Sequence, residues 1–262
     1  MLGAIAGDVI GSIYERNNVK FTDFPLFSGH CRFTDDTVLT AAVAEVLLEG
    51  GAGSHEAYVD KFHEWFHVYP DAGFGGTFFD WARSRNRLPY GSWGNGSAMR
   101  VSPIGYAFET LEEVLAEAKI SAEVTHDHPE GIKGAQAIAA AVFLARQGTS
   151  KAAIKSEIIE RFSYDLAPTL DEIRPHYRFY VSCQGSVPQA ITAFLESENF
   201  EDAVRKAISI GGDSDTIACM AGSIAEAFYG GVPGPIAERT RKHLDTRLRT
   251  VVEEFQATFT GN

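Results

Sequence analysis

The chain has 262 residues, of which 45% are hydrophobic, 11% aromatic and 22% charged, a balance typical of a folded globular protein. Its formal net charge of −12 argues against general binding to nucleic acid or to anionic membranes, because most of the surface would repel both. No linker-like, low-complexity or repeated segment divides the sequence, so we expect one compact domain over residues 1–262.

Apolar residues recur with helical spacing along most of the chain. This spacing predicts helices at 3–16, 37–48, 54–69, 111–123, 132–146, 150–162, 187–196, 200–210, 215–229 and 235–259. Pro188 and Pro235 stand where a first helical turn is expected to begin. The segment 177–183 is a weak strand candidate, but strands and helices do not alternate. We therefore predict an all-α fold of ten or more helices.

The first predicted helix carries two distinct stripes. Glycines recur every four residues from Gly3 to Gly11 and leave a smooth face on which another helix can pack closely. Asp8, Ser12 and Glu15 follow the same spacing on a neighbouring stripe. Because charged side chains are mostly exposed, residue type alone favours a solvent-facing stripe over one that lines a cleft.

Two clusters of carboxylates stand at predicted helix starts. The segment TDDT (34–37) leads into one apolar helix, and DSDT (213–216) leads into another. Asp and Thr at such positions often cap the first free backbone N–H groups. Adjacent carboxylates also repel each other unless a cation neutralises them, and carboxylate and hydroxyl oxygens suit Mg²⁺ or Mn²⁺. From spacing alone, two separate caps and one shared metal site both remain open.

Residues 63–67 read HEWFH, which matches the zinc-binding H-E-x-x-H pattern of many metalloproteases. On a helix, His63 and His67 would share one face, with Glu64 as a base for bound water. The extended protease pattern fails, because Pro70 follows and no third histidine occurs at the required position. We therefore interpret the segment as an amphipathic packing helix.

Four segments, taken in order, resemble the signatures of the ADP-ribosylglycohydrolase family, which includes dinitrogenase reductase-activating glycohydrolases and vertebrate ADP-ribosylhydrolases. They are GAIAGDVIGSIYE (3–15), FTDDT (33–37), GNGSAMR (94–100) and GGDSDTIACMAGSIAEAFYG (211–230). The resemblance implies an all-α hydrolase with two Mg²⁺ (or Mn²⁺) ions. It would cleave the glycosidic bond of ADP-ribose attached to a protein or another conjugate and release ADP-ribose.

The resemblance also assigns site residues. The metal ligands fall on Thr34, Asp35, Asp36, Asp213, Asp215 and Thr216. Glu15 and Asp35 are the candidates for proton transfer, and Glu15 is then expected to face a cleft. The residues expected to contact ADP-ribose are Gly73, Phe74, Gly75, Gly76 and Thr77, then Ser92, Trp93, Gly94, Asn95 and Gly96, and finally His126. Trp93 and Phe74 would stack on the ligand or wall its pocket.

Other interpretations stay open on the sequence. D-x-D-x-T begins a phosphatase motif that follows a buried strand, and prenyl-diphosphate enzymes use D-D-x-x-D, of which TDDTV lacks the last aspartate. A non-enzymatic alternative is a catalytically silent ADP-ribose-binding or crystallin-like relative. The linkage that is cleaved is also open: arginine, serine, other side chains, nucleic-acid bases and O-acetyl-ADP-ribose all fit.

The cysteines and the N-terminus bear on location. Only Cys31, Cys183 and Cys219 occur, in no C-x-x-C arrangement, so we expect reduced thiols and a cytoplasmic protein. The apolar segment 1–12 lacks a basic region, contains Asp8 and is too short to cross a bilayer. We expect a buried helix there, no membrane association and a monomer.

Overall fold

The backbone of this protein is helical wherever it is regular. The structure, a computed structural model, describes residues 1–261, which contain fifteen helices and no strand. The helices are α1 Leu2–Gly11, α2 Asp35–Leu48, α3 His55–Val68, α4 Gly76–Arg83, α5 Gly96–Met99, α6 Ile104–Ala107, α7 Leu111–Glu123, α8 Pro129–Arg146, α9 Lys151–Phe162, α10 Leu170–Ile173, α11 Cys183–Leu195, α12 Phe200–Ser209, α13 Ser214–Tyr229, α14 Gly234–Lys242 and α15 Thr246–Phe259. The all-α prediction is confirmed.

Helix starts are set by side chains that accept from the first free backbone N–H groups. Ser54 accepts from the N–H of Ala57 at the start of α3. Thr110 and Glu113 form a reciprocal capping box at the start of α7. These local signals explain why the predicted starts of such helices lie close to the observed ones.

The centre of the fold is the contact between α1 and α13. Every residue of α1 is buried, and so are all residues of α13 from Ser214 to Glu226. A Cβ atom on Gly7 would clash with the carbonyl oxygen of Ala218, and one on Gly11 would clash with the Cα of Asp215. The glycine stripe therefore brings two helix backbones into direct contact, and it places the end of α1 beside the start of α13.

Two predicted helix boundaries are wrong for identifiable reasons. Helix α1 ends at Gly11 rather than at 16, because the chain turns where the Tyr14 hydroxyl donates to the Pro25 carbonyl. Helix α11 begins before Pro188, since Ser182 caps it by accepting from the N–H of Gly185. Pro188 thus lies inside the helix rather than in its first turn.

The last predicted helix, 235–259, is divided into α14 and α15. Asp245 caps α15 by accepting from the N–H of Leu248 at 3.0 Å, and the Tyr69 hydroxyl donates to the same carboxylate at 2.8 Å. The strand candidate 177–183 is an extended loop in which a single antiparallel bridge joins Ser182 to Gly94. This bridge fastens the loop to the SWGNGS segment (92–97).

Candidate metal centre and ligand cavity

The N-termini of α2 and α13 meet beside the C-terminal half of α1. Asp8, Asp36 and Asp215 each offer a carboxylate oxygen, and these three oxygens lie within 4.8 Å of one another. All three side chains are buried. Oδ1 of Asp36 is buried without a hydrogen-bond partner among residues 1–261. The two aspartate clusters of the sequence therefore form one cluster in space.

Helix capping does not account for these carboxylates. At the start of α2 the capping side chain is Thr34, which accepts from the N–H of Asp36 at 3.3 Å. At the start of α13 the N-cap residue is Asp213, but its side chain makes no capping bond. Instead its Oδ2 accepts from Nδ2 of Asn95 at 2.7 Å. Of the two interpretations of the sequence, a shared site fits the geometry better.

Burial and mutual repulsion favour the protonated form of the carboxylates in this cluster. Burial is the largest cause in each case. It raises the pKa of Asp8 to about 6, and burial with repulsion from Asp8 and Asp213 raises the pKa of Asp35 to about 8. The pKa values of Asp36 and Asp215 are raised well above the ordinary value by burial and by neighbouring aspartates.

No lysine, arginine or histidine of residues 1–261 forms an ion pair with these carboxylates. Within the described chain, no lysine, arginine or histidine nitrogen lies within 4.0 Å of a carboxylate oxygen of the cluster. Buried carboxylates at this separation need either protons or a bound cation. The donors are all oxygens, with threonine hydroxyls at Thr34 and Thr216 beside them, so the set fits a hard divalent cation.

Asp8 is the member of the cluster that the metal-ligand assignment from sequence omitted. Its Oδ2 accepts from the N–H groups of Thr34 at 2.9 Å and Thr37 at 3.1 Å and from the Thr37 hydroxyl. Its Oδ1 accepts from the Thr34 hydroxyl at 2.7 Å. Asp8 is fully buried, so the solvent-facing expectation is wrong for it. The sequence signal that could have placed Asp8 in the cluster is its position within an otherwise apolar, glycine-rich helix.

A cavity of about 420 Å³ opens directly over the cluster, a size within the usual range of small-molecule sites. Its walls include most of the residues that the resemblance assigned. These are Glu15, Thr34, Asp35, Asp36, Gly73, Gly75, Gly76, Thr77, Ser92, Gly94, Asn95, Gly96, His126, Asp213, Asp215 and Thr216. Glu15 is thus cleft-facing, although it lies in the turn after α1 rather than on the helix.

The glycine loop at 72–77 approaches the cluster at Gly73. This residue has a φ of +105°, which residues other than glycine rarely adopt, and a Cβ atom built on it would lie 3.7 Å from Oδ1 of Asp35. Two of the residues that the resemblance assigned to ligand binding, Phe74 and Trp93, do not line the cavity. Phe74 does not line the cavity, because its ring packs in the core against Phe66 and Phe78. Trp93 is 53% exposed and lies beside His128.

Several cavity residues were not anticipated from the sequence. Tyr90, Arg100, Phe179 and Val181 all line it, and Arg16 and Arg32 also border it. Arg100 is fully buried, and its place at the end of the GNGSAMR segment was the sequence signal that could have been followed.

The HEWFH histidines belong to the scaffold. His63 is buried against the ring of Trp81, with centroids 4.3 Å apart, and His67 bonds through Nδ1 to the His63 carbonyl at 2.6 Å. Glu64 is paired with Arg247. No group of three or more potential metal ligands in residues 1–261 includes this segment. The packing-helix interpretation agrees with these contacts.

A family model described as ADP-ribosylglycohydrolase matches residues 1–261. The chain belongs to the ADP-ribosylglycohydrolase family. Its similarity to curated members is moderate. It is 29% identical to ADP-ribosylhydrolase ARH3 of Homo sapiens, over 88% of this chain and 84% of that protein. It is 26% identical to ADP-ribosylarginine hydrolase Tri1 of Pseudomonas putida (strain GB-1), over 91% and 72% respectively.

The fold of the family is also found among solved structures. A chain titled "ADP-ribosylglycohydrolase-related protein complex" superposes with a TM-score of 0.69 at 24% sequence identity, covering 97% of this chain and 95% of that one. At this identity the likeness concerns the fold alone. Among the helices of residues 1–261, none combines the length and apolarity that a membrane crossing requires.

Proposed function

We propose that this family member is a metal-dependent hydrolase. It would cleave the glycosidic bond at the anomeric ribose carbon of ADP-ribose attached to a protein or another conjugate, and release ADP-ribose. The observation that carries the proposal is the buried aspartate cluster on the wall of a 420 Å³ cavity lined by two glycine-rich loops. The ARH3 and Tri1 relatives are both named as hydrolases of ADP-ribosyl groups, which supports the same activity here.

Thr34, Asp35, Asp36, Asp213, Asp215 and Thr216 would hold two Mg²⁺ (or Mn²⁺) ions. When bound, such ions neutralise the carboxylates, orient ribose hydroxyls and lower the pKa of bound water. Asp8 helps to position these metal-binding residues, because the four hydrogen bonds that it accepts fix the TDDT segment. Asn95 does the same for Asp213 through its 2.7 Å hydrogen bond.

The protein groups at the cavity supply orientation and proton transfer. Cleavage at the anomeric carbon builds positive charge on the sugar, which the surrounding carboxylates favour. Glu15 is partly buried at the cavity wall, where it can transfer a proton to or from the reacting group, and Asp35 is the other candidate. Backbone N–H groups of the glycine loops can approach the diphosphate closely.

The test is a panel of conjugates in which ADP-ribose is linked to arginine, serine, a nucleotide or acetate. The full chain is assayed with Mg²⁺ or Mn²⁺ and again with a chelator. We expect release of free ADP-ribose from at least one conjugate, and its loss with chelator. Binding of ADP-ribose without cleavage of any conjugate would instead identify the silent relative. Release that is unaffected by chelator would contradict the metal-dependent mechanism.

Location and assembly follow as parts of the same proposal. The three cysteines are free and buried, as expected of a protein in a reducing compartment. We propose that this single-domain protein is cytoplasmic, and separately that it acts as a monomer.

A further inference from the structure

Three hydrogen-bonded side chains, Arg100, Thr125 and His126, form a line beside the cavity, which we call the relay. The guanidinium of Arg100, fully buried, donates through Nη2 to the Ser121 carbonyl at 2.7 Å and to Oγ1 of Thr125 at 3.0 Å. Oγ1 of Thr125 lies 2.8 Å from Nδ1 of His126, and the His126 ring lines the cavity. The line therefore ends at a potential ligand-binding group.

The proton positions along this line follow from the chemistry of the three groups. A guanidinium can only donate, so the Thr125 oxygen is an acceptor toward Arg100. Thr125 is fully buried, and its single hydroxyl proton must go to an acceptor to avoid a costly unpaired donor. Nδ1 of His126 is the acceptor at hydrogen-bond distance. His126 Nδ1 is then unprotonated, and Nε2 carries the ring hydrogen.

The ring is also held neutral. Burial, followed by the positive charge of Arg100, lowers the pKa of His126 well below its usual value. Nε2 lies against the SWGNGS segment, since a Cβ on Gly96 would come within 3.3 Å of it and one on Gly94 within 3.4 Å. It makes no hydrogen bond to another group of residues 1–261. The Nε2–H group is therefore a free, uncharged donor beside the glycine loop.

We infer that Arg100 and Thr125 are positioning residues, which fix His126 as a neutral Nε2–H donor to a diphosphate oxygen of the ligand. The inference rests on the proposed function, because it takes ADP-ribose as that ligand. Phosphate oxygens can only accept hydrogen bonds, so a ring in the other tautomer would present a lone pair and repel them. The hydrogen bonds of Arg100 and Thr125 exclude the other tautomer of His126 before the ligand binds, so the site is preorganised.

The tautomer can be measured without any ligand. The ¹⁵N spectrum of histidine-labelled full chain is recorded with Mg²⁺, and the His126 signals are assigned by their loss in His126→Gln. We expect an unprotonated Nδ1 and a protonated Nε2 in the wild type and in Thr125→Ser, which keeps the hydroxyl. Thr125→Val, which removes it, should show a mixture. A protonated Nδ1 in the wild type, or an unchanged pattern in Thr125→Val, would overturn the inference.

Tyr90 provides the matched control for the hydroxyl proton. Burial raises the pKa of Tyr90 to about 12, and Arg100 and a hydrogen bond with Thr125 partly offset that rise, so the Tyr90 hydroxyl is the alternative acceptor. Tyr90→Phe removes this acceptor but leaves the proposed relay intact, so the His126 tautomer should not change. A change equal to that of Thr125→Val would mean that Tyr90, rather than His126, receives the proton.

Binding measurements separate the relay from general stability. In calorimetric titrations, Thr125→Val should weaken ADP-ribose binding by about tenfold, or about 1.4 kcal/mol. Thr125→Ser should bind like the wild type. The affinities of Thr125→Val for Mg²⁺ and for adenosine, which lacks the diphosphate, should be unchanged. An equal loss for adenosine would contradict the role. Failure of the wild type to bind ADP-ribose would refute the proposed function, while the tautomer measurement would still stand.

Discussion

Replacing Asp8 by Asn removes one charge from the carboxylate cluster while keeping a side chain of the same shape. The Asn oxygen can accept from the backbone N–H groups of Thr34 and Thr37, as Oδ2 of Asp8 does at 2.9 and 3.1 Å. The Asn amide can face the Thr34 hydroxyl, which then donates to Asp36 instead, at the existing separation of 3.3 Å. The substitution therefore tests the charge rather than the packing.

The size of the effect follows from the pKa of Asp8, which is about 6 in the folded chain against an ordinary value of 3.8. Because the folded state holds this proton more tightly, Asp8 favours folding at low pH, and that contribution is lost as the pH rises through 6. In the absence of a cation, the raised pKa of Asp8 lowers the unfolding free energy, relative to its value at low pH, by roughly 3 kcal/mol at pH 7 and by roughly 1.5 kcal/mol at pH 5.

The assay is urea unfolding, followed by tryptophan fluorescence, at pH 5 and pH 7. In chelator, Asp8→Asn should be more stable than the wild type by roughly these amounts, with the larger gain at pH 7. With Mg²⁺ the order should reverse, because the wild type binds the ion more tightly. Asp23→Asn, at an exposed position, should change neither comparison. The reasoning is refuted if Asp8→Asn is less stable in chelator at pH 7, or if its gain is independent of pH.

Three further predictions concern other parts of the molecule. Gly7→Ala should lower the unfolding free energy by about 3 kcal/mol in urea titrations, because its Cβ would clash with the Ala218 carbonyl, whereas Gly234→Ala, with open space around it, should be neutral. Trp93→Ala should change neither calorimetric ADP-ribose binding nor the melting temperature, since the half-exposed ring lies outside the cavity lining; a loss of affinity would show that the ring contacts the ligand. His67→Gln should leave bound-metal content and ADP-ribose release unchanged; loss of either would revive the zinc interpretation.

Local sequence determines much of the fold. Helical apolar spacing and N-terminal caps such as Ser54 and Thr110 are sufficient to predict the all-α class and many helix starts. The end of α1 could not be predicted in this way. Its apolar pattern continues to Ile13, and the turn depends on contacts with Pro25 and with Asn18, which donates to the Tyr14 carbonyl. Such side-chain to backbone hydrogen bonds leave no periodic trace in the sequence.

The candidate site likewise has features that local sequence predicts and features that only packing determines. Paired aspartates, adjacent in TDDT and alternating in DSDT, mark both clusters ahead of apolar helices, because ordinary capping needs only one acceptor per helix. Their meeting depends on which helix packs on the Gly7 stripe, and periodicity does not specify that partner. The direction of a single ring is also set by packing: Phe74 stands in a glycine loop at the cavity, yet its ring stacks on Phe78 in the core.

The central claim is that one carboxylate cluster both binds the metal ions and supports cleavage. Its most direct test measures bound divalent ions and released ADP-ribose on the same preparations of wild type, Asp215→Ala and Glu15→Gln. The wild type should bind two ions and release ADP-ribose. Asp215→Ala should lose ions and release together, and Glu15→Gln should keep the ions but lose release. Full release by Asp215→Ala without bound ions would contradict the account.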